Sequence, residues 1–409
     1  MYSVLAVAGY RSLRDVRVTL GRLTVVTGPN GAGKSSLYRA LRLLADCGQG
    51  RVVASLAREG GLQSALWAGP ATLGGARRSG RTEGTIRKEP ISLRLGVGGV
   101  HLGYLVDLGL PPQSPKAYRA ERIPFFLRDP EIKREAVFQG PVMRPATLAA
   151  RRRHQVVELR GPDGWERAEV RLPPFASLLT EYSDPASAPA LWAMRSVLRR
   201  WRFYDGFRAD PQAPARLPQV GTRTGALADD GADLAAALAT ILEQDPGRLH
   251  RCVGDAFPGA TLDIQVTDGM FDIALQQPGM LRALRAAELS DGTLRYLLWL
   301  AALLTIDPPP FMVLNEPETS LHPSLLPPLA RLIGETATRT QVLVVTHSQP
   351  LLEALAQAHP GLLDPLDDDP VPPGVVPAHR LVDLATDLGE TVVVGQGLLS
   401  RPTWEWGRR

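Results

Sequence analysis

Gly28-Pro29-Asn30-Gly31-Ala32-Gly33-Lys34-Ser35 follows directly on the apolar run Leu23-Thr24-Val25-Val26-Thr27. The octapeptide has the pattern G-x-x-x-x-G-K-S of a phosphate-binding loop, which connects a buried strand to a helix. Glycine is needed in such a loop because it accepts positive φ at low cost and lets backbone amides approach a polyphosphate. The stretch therefore predicts a strand, a loop and a helix that bind a nucleoside triphosphate.

The residue types of the loop assign it specific contacts. The helix expected from Ser35 to about Leu44 offers free amides and the positive end of its dipole to an anion. Lys34 is expected to reach the β- and γ-phosphates, and the Ser35 hydroxyl to bind Mg²⁺. With ATP and Mg²⁺ as cofactors, we expect the nucleotide to contact Gly28, Pro29, Asn30, Gly31, Ala32, Gly33, Lys34, Ser35 and Ser36.

Composition places the chain among ordinary globular proteins. Its 409 residues, 44% hydrophobic and 22% charged, allow two or three domain-sized units. We expect a cytoplasmic protein without a membrane partner, because no apolar run reaches about 18 residues and residues 1–4 do not resemble a signal peptide. Cys47 and Cys252 suggest no disulfide or metal framework. The net charge of +4 comes mostly from arginine, and clusters such as 151–153 and 199–202 are either solvated faces or contacts to phosphate backbones.

The middle of the chain alternates between β and helical patterns. Segments around 91–95 and 103–107 predict half-buried antiparallel strands, and 156–160 with 169–172 predict a hairpin. Helical patterns run over about 188–202 and about 232–243, and an aspartate of the preceding Asp229-Asp230 is a candidate cap for the second helix. A proline-rich connector without an evident element separates them at 210–218.

Two further apolar strands each end in a candidate catalytic residue. Phe311-Met312-Val313-Leu314 reads as a parallel strand buried on both faces and leads into Asn315-Glu316-Pro317. Ligands bind at the carboxyl edge of such sheets, so Glu316 is a candidate general base for an attacking water; the alternative is a structural carboxylate. The run at 342–345 leads to His347, a candidate contact to the γ-phosphate or the water, or else a structural histidine. Ser290 or Asp291 is a suitable cap for the apolar helix expected at 294–304.

Taken together and in this order, the motifs resemble an ABC-type ATPase head of the RecF/SMC/OLD-like branch, a group of AAA-type ATPases. The resemblance extends from residue 4 to about 350 and is loose in the middle. It rests on Gly9–Leu13, Gly28–Ser35, Leu227–Leu234, Leu289–Gly292, Asn315–Pro323 and Thr346–Ser348.

The resemblance implies roles for several residues. Gly28–Ser35 corresponds to the Walker A loop, 311–316 to the Walker B strand with Glu316 as catalytic glutamate, and His347 to the switch histidine. Residues 320–323 match the D-loop. Ser290 and Gly292 match the signature motif, which in this family meets the γ-phosphate held by a second subunit. It therefore implies a homodimer that encloses two ATP molecules.

Three positions depart from the family pattern. Asn315 stands where an aspartate normally supports Mg²⁺; its amide oxygen can accept a hydrogen bond from a metal-bound water but brings no charge. The signature reads Ser-Asp-Gly rather than Ser-Gly-Gly. The glutamine of the Q-loop is not placed, with Gln139 and Gln63 as candidates.

The resemblance implies an α/β fold with a largely parallel central sheet, an antiparallel β subdomain and an inserted helical lobe. We divide the chain into an N-terminal part of the head with Walker A at 1–47, a β-rich part at 48–185, a helical or mixed lobe at 186–285, and a C-terminal part with the signature, Walker B and switch histidine at 286–409. Few residues follow His347, and the acidic run 367–369 adjoins prolines, so no TOPRIM nuclease domain is expected.

The leading hypothesis is a slow or partner-dependent ATPase, which converts ATP and water to ADP and phosphate, dimerises around ATP and acts on DNA in repair, recombination or maintenance. The alternative is an ATP-gated switch subunit that works with a separate effector protein, as in a phage-defence or toxin–antitoxin-like system. A subunit of a membrane transporter is disfavoured by the long segment between the phosphate-binding loop and Ser290.

Overall fold

The computed structural model describes residues 1–70, 92–111, 126, 128–363, 371–397 and 399–407. The acidic run 367–369 lies outside these residues. Within them, no helix combines the length and the apolar character that crossing a membrane requires.

In chain order the strands are β1 Tyr2–Tyr10, β2 Leu13–Thr19, β3 Leu23–Thr27, β4 Leu93–Gly99, β5 Leu102–Gly109, β6 Glu131–Gln139, β7 Leu148–Arg153, β8 Val156–Gly161, β9 Gly164–Arg171, β10 Arg202–Asp205, β11 Gln219–Val220, β12 Thr261–Thr267, β13 Met270–Gln276, β14 Leu284–Arg285, β15 Phe311–Asn315, β16 Gln341–Val345, β17 His379–Asp387 and β18 Glu390–Val393. The α-helices are α1 Lys34–Gly48, α2 Val52–Arg58, α3 Leu62–Ala65, α4 Leu178–Glu181, α5 Pro189–Arg199, α6 Leu234–Gln244, α7 Pro246–Ala256, α8 Asp291–Leu303, α9 Leu326–Arg339 and α10 Gln349–Ala358. Short 3₁₀ turns occupy Pro214–Arg216, Ala286–Glu288 and Pro323–Leu325.

A six-stranded sheet with the order β10-β15-β16-β3-β17-β18 forms the centre of the molecule. Its first five strands are parallel, and β18 pairs antiparallel with β17. The strand that precedes the phosphate-binding loop thus lies between strands from near residue 345 and near residue 380. This arrangement confirms the predicted largely parallel sheet and brings the carboxyl ends of β3, β15 and β16 to one edge.

Alternate residues of the parallel strands enter two separate hydrophobic cores. Phe311 and Val313 of β15 face the core that also holds α1 and the larger sheet, whereas Met312 and Leu314 face the core formed with α6, α8 and α9. Because both faces are covered, β15 and β16 are apolar almost throughout, as their sequence indicates.

The larger sheet is antiparallel and has eight strands in the order β2-β1-β4-β5-β6-β7-β8-β9. It contains the predicted hairpin, in which β8 and β9 pair around residues 161–164. Most of the described strands therefore pair antiparallel, and the predicted antiparallel β subdomain is confirmed.

The inserted lobe combines α6 and α7 with a small sheet of β11, β13, β12 and β14. Its sequence segment, 186–285, also contributes β10 to the central sheet. The expected aspartate cap of α6 is not formed: the carboxylate of Asp233, at the helix start, accepts instead from the amide of Ala228, and that of Asp230 from Ala232. The connector at 210–218 contains a 3₁₀ turn at Pro214–Arg216, which the sequence did not indicate.

A buried ion pair joins the antiparallel sheet to the segment that follows it. Arg152 and Glu135 are both fully buried, and their side chains approach to 3.2 Å. The carboxylate of Glu135 also accepts hydrogen bonds from Tyr104 and Ser177 hydroxyls at 2.6 Å each and from the amide of Leu178 at 2.7 Å. Every lone pair of this buried carboxylate therefore faces a donor.

We expect Arg152→Met to lower the free energy of unfolding by about 3–5 kcal/mol, because it leaves a buried carboxylate without its counter-charge. Urea unfolding followed by circular dichroism measures the loss. Arg223→Met is the control, since the Arg223–Glu243 pair is about two-thirds exposed, and it should cost far less. Equal losses for the two variants would contradict the assigned role of the buried pair.

Candidate nucleotide-binding site

The phosphate-binding loop connects β3, which ends at Thr27, to α1, which begins at Lys34. Three of its glycines have positive φ: 139° at Gly28, 82° at Gly31 and 104° at Gly33. A side chain is also excluded by space: a Cβ at Gly28 would lie 2.2 Å from the Leu384 carbonyl oxygen, and one at Gly33 would lie 2.1 Å from Thr391 Oγ1. The C-terminal strands β17 and β18 thus support the loop from behind.

The outer side of the loop is open. Pro29, Asn30 and Gly31 are exposed, and a Cβ at Gly31 would meet nothing within 4 Å. Ser35 is exposed and Ser36 half-buried at the start of α1, whereas Ala32 is buried in the core. Backbone amides and the Ser35 hydroxyl therefore remain accessible to an anion at the helix N-terminus.

Lys34 is held inside the loop. Its ammonium group donates to the carbonyl oxygens of Gly28 at 2.6 Å and Pro29 at 3.1 Å, and the residue is only 7% exposed. The cation is thus fixed within the loop by two neutral acceptors. An anionic phosphate is the stronger acceptor for an ammonium group and would compete for it.

Glu316 and His347 meet at the carboxyl edge of the central sheet. Nδ1 of His347, which follows β16, lies 3.2 Å from Oε1 of Glu316, which follows β15. Both side chains are about half exposed, at 50% and 40%. The Glu316 amide donates to the Val345 carbonyl at 2.8 Å, and its φ of 47° is unusual for a residue with a side chain. The sheet therefore holds this carboxylate in an uncommon backbone conformation next to a histidine.

A second layer of hydrogen bonds fixes the strand ends. Thr346 donates its hydroxyl proton to Glu318 at 2.5 Å and accepts from the Ser348 amide at 2.9 Å. This link ties the segment after β15 to the segment after β16. No sequence pattern indicated an individual role for Thr346 or Glu318.

Asn315, the last residue of β15, contacts an acidic residue that the sequence analysis missed. Its side-chain amide donates to Oδ1 of Asp205 at 2.8 Å. Asp205 is the last residue of β10 and is in register with Asn315. A four-residue strand within the inserted segment gave no sequence signal for this partner.

The signature segment starts α8. The Ser290 hydroxyl accepts from the amide of Thr293 at 3.2 Å, which confirms the predicted cap. A Cβ at Gly292 would lie 3.3 Å from the Ser320 carbonyl, and Arg295 donates to the Thr319 carbonyl at 3.3 Å. The signature helix and the segment matching the D-loop are thus neighbours.

Arg216 contacts the signature segment, Leu289–Gly292, and the residues just before it. No sequence pattern indicated this arginine. It is 6% exposed and donates to the carbonyls of Ala286, Ala287 and Leu289 at 2.7–3.3 Å. It also donates to the Asp291 carboxylate at 2.7 Å. One buried guanidinium therefore fixes the loop that presents Ser290.

The predicted site residues form two groups. Residues 28–36, Asn315, Glu316 and His347 follow or adjoin the carboxyl ends of neighbouring parallel strands. In the described part of the chain, no hydrogen bond or ion pair joins Ser290 or Gly292 to residues 28–36. Of the two Q-loop candidates, Gln139 ends β6 of the antiparallel sheet and Gln63 lies in α3, so neither belongs to the parallel sheet.

These residues fit a magnesium nucleoside triphosphate. The glycine loop, the enclosed ammonium group and the accessible hydroxyl of Ser35 match the needs of a polyphosphate, and Asn315 offers an oxygen for metal-bound water. Among the described residues, no three His, Cys, Asp or Glu side chains are grouped to hold a metal ion. A magnesium ion here would therefore rely on phosphate oxygens as well as on the protein.

Comparison with solved structures identifies the fold. The chain is similar to an SMC head described as "SmcHead bound to the C-winged helix domain of ScpA", with 13% identity, a TM-score of 0.51 and coverage of 97% of this chain and 98% of that one. An Smc head from Pyrococcus furiosus aligns with 13% identity, a TM-score of 0.48 and coverage of 96% and 95%. The SMC head domain from Thermotoga maritima aligns with 16% identity, a TM-score of 0.40 and coverage of 97% and 99%. The first of these similarities, with its TM-score of 0.51 at 13% identity, shows an α/β P-loop fold of the SMC-head type and nothing more.

Comparison with protein families shows which family the chain belongs to. No curated protein matches the chain. Residues 23–353 match the family described as "AAA domain, putative AbiEii toxin, Type IV TA system". The match starts at β3 and runs through the phosphate-binding loop, Ser290, Glu316 and His347. Since it covers most of the 409 residues, the chain belongs to this family of AAA-domain P-loop ATPases.

Proposed function

We propose that the protein binds ATP with Mg²⁺, hydrolyses it slowly, and forms a homodimer around two ATP molecules whose cycle acts on DNA. The observation that carries the proposal is the Glu316–His347 pair, 3.2 Å apart on the sheet edge that also carries the phosphate-binding loop. A carboxylate that can serve as general base, with a histidine beside it and a phosphate-binding loop on the same edge, suits phosphoryl transfer to water, which depends on a positioned water and on stabilised phosphate charge.

Each side chain has a step in the proposed reaction. Lys34 exchanges its two loop carbonyls for phosphate oxygens, while Ser35 and Asn315 hold Mg²⁺ and its water. Bound Mg²⁺ neutralises charge on the phosphate oxygens. Glu316 orients the attacking water and accepts its proton. His347 holds the Glu316 carboxylate in place and reaches toward the γ-phosphate.

The dimer is proposed because, among the described residues, Ser290 and Gly292 make no hydrogen bond or ion pair with the loop of their own chain. Ser290 is exposed at the N-terminus of α8, where an anion of a second copy would be stabilised. We expect Ser290→Arg to abolish the ATP-dependent dimer while ATP binding to the monomer stays unchanged, because the bulky side chain blocks the approach of a second loop. Light scattering after gel filtration, with and without ATP, measures the mass. A variant that still dimerises with ATP would refute this arrangement.

DNA coupling is tested by the rate of ATP hydrolysis with no DNA, single-stranded DNA or double-stranded DNA, with Glu316→Gln as the blank. A rate that rises with DNA and vanishes in the variant is expected. The net charge of +4 supports a nucleic-acid partner. A preparation that binds no ATP would refute the proposal as a whole.

A second candidate is an ATP-gated switch that acts with a separate effector protein in a defence or toxin–antitoxin-like system. Asn315 favours it, because a neutral residue at the metal position suits a site that keeps ATP bound for long. The description of the family, which includes a Type IV TA system, points the same way. A rate indifferent to DNA, with ATP still bound and an effector co-purifying in the ATP state, would favour this function over the first.

A further inference from the structure

Two neighbouring strands end together beside the phosphate-binding region. β10 and β15 are parallel, and the pair Asp205–Asn315 is the last of their register. Both side chains therefore leave the sheet at the same carboxyl edge, where Glu316 and the loop after β3 also lie. Of this pair only Asp205 is acidic, and Asn315 occupies the position where a metal-supporting carboxylate is expected.

The hydrogen bond between them fixes which way the Asn315 amide points. An ionised carboxylate has no proton to donate, so the amide nitrogen of Asn315 must face Asp205, 2.8 Å away. The amide oxygen of Asn315 is thereby turned away from Asp205. Asp205 thus presents that oxygen as an acceptor for a metal-bound water and polarises the amide through a charge-assisted bond.

The charge of Asp205 is not used in an ion pair. Among the described residues, no ion pair within 4 Å joins its carboxylate to an arginine, lysine or histidine. The two arginines that line the same cavity contact other acids: Arg42 contacts Asp229 at 4.0 Å, and Arg208 contacts Asp210 at 2.8 Å. Asp205 shares with both arginines the lining of a surface cavity of about 350 Å³. Its negative charge therefore remains available to a cation.

Asp205 also faces the helix that carries the phosphate-binding loop. Arg42 of α1 lines the same cavity. Burial and, after it, the charge of Asp205 raise the pKa of the Tyr38 hydroxyl, four residues after Lys34 on that helix. The negative charge of Asp205 is therefore felt at Tyr38, in the N-terminal part of α1 that also contains Ser35.

We propose that Asp205 supplies the negative charge that Asn315 lacks and, through its hydrogen bond to Asn315, forms the outer support of the magnesium ion bound with ATP. The proposal rests on the proposed ATP site. Partners in the outer shell of a metal site change its affinity by about 10- to 100-fold. In this pair Asp205 would supply the negative charge and Asn315 the acceptor oxygen, two properties that a single aspartate normally combines.

The test measures metal affinity rather than turnover. Glu316→Gln serves as the parent so that ATP persists, and binding of Mn²⁺ to the ATP-loaded protein is followed by electron paramagnetic resonance. We expect Asp205→Asn in this parent to weaken Mn²⁺ binding about tenfold or more. The double exchange Asp205→Asn with Asn315→Asp returns one charge and one amide to the pair, and it should restore the affinity of the parent.

The matched control is Asp307→Asn. Asp307 is exposed and paired with Arg200, and it lies before β15, at the opposite end of that strand. The substitution Asp307→Asn removes the same charge from the protein as Asp205→Asn does, and it should leave Mn²⁺ affinity unchanged. Thermal unfolding of each variant shows that it is folded.

An Asp205→Asn variant that binds Mn²⁺ as tightly as Asp307→Asn would overturn the proposal and leave the ATP site intact. A folded double exchange no better than Asp205→Asn alone would also overturn it, because the charge of the pair would then not be what the metal senses. A parent that binds no ATP would instead refute the proposed function.

Discussion

Glu316→Gln is expected to reduce the rate of ATP hydrolysis by about 10²- to 10⁴-fold while ATP remains bound. Glutamine keeps the size of the side chain and can still hydrogen-bond to His347, but its amide cannot accept a proton from water. The positive φ of residue 316 costs glutamine about as much as glutamate, so we expect Glu316→Gln to keep the backbone of the strand end. Phosphate release under single-turnover conditions measures the rate, and a fluorescent ATP analogue measures binding.

Glu335→Gln is the control for this variant. Glu335 is exposed on α9 and contacts Arg248, so its loss removes an equal charge far from the proposed chemistry. Because ATP persists in Glu316→Gln, its ATP-dependent dimer should also last longer than that of the unaltered protein. Unchanged turnover in Glu316→Gln would mean that another group takes the proton, and the role of Glu316 would be lost.

Lys34→Ala is expected to weaken ATP binding by about 10- to 100-fold, which corresponds to the about 1.5–3 kcal/mol of a hydrogen bond to a charged group. The ammonium group is the one charged donor that the described loop directs inward. Its removal leaves the phosphates with backbone amides and the Ser35 hydroxyl only. Titration of a fluorescent ATP analogue at fixed Mg²⁺ measures the affinity.

Arg39→Ala is the matched control, because Arg39 is exposed on the same helix, about one and a half turns after Lys34. It should bind ATP nearly as well as the unaltered protein. Thermal unfolding distinguishes a lost contact from a damaged loop, since Lys34 also satisfies the carbonyls of Gly28 and Pro29. If Lys34→Ala bound ATP normally, the assignment of the nucleotide to this loop would fail.

The sequence predicted those parts of the fold that depend on local pattern. The loop requires glycine at positions 28 and 33 because both have positive φ and no space for a Cβ. These two residues could therefore be recognised from the sequence alone. The apolar runs at 311–314 and 342–345 are buried on both faces, and that burial leaves a readable signature. Glu316 and His347 could be placed together because parallel strands end at a common edge, and the structure brings them within 3.2 Å.

What escaped prediction depends on pairing across the chain. β10 is four residues long, and nothing local tells that it lies beside β15 rather than in the lobe. Asp205 was therefore missed, as was Arg216, which acts through contacts about 70 residues away. The cap predicted from Asp229-Asp230 failed because α6 begins only at Leu234, and Asp230 accepts instead from the amide of Ala232, before the helix.

The order of strands in the central sheet has a consequence for synthesis. β3 lies between β16 and β17, so its two neighbours are made about 320 and 355 residues later. At a translation speed of about 5–20 residues per second, β3 waits on the order of 20–70 s for β17. The growing polypeptide therefore carries an apolar strand without its sheet partners while more than 300 further residues are made, which exposes that strand to aggregation. The loop lacks its backing by β17 and β18 for the same time, so we expect it to hold a nucleotide only after β18 has been made.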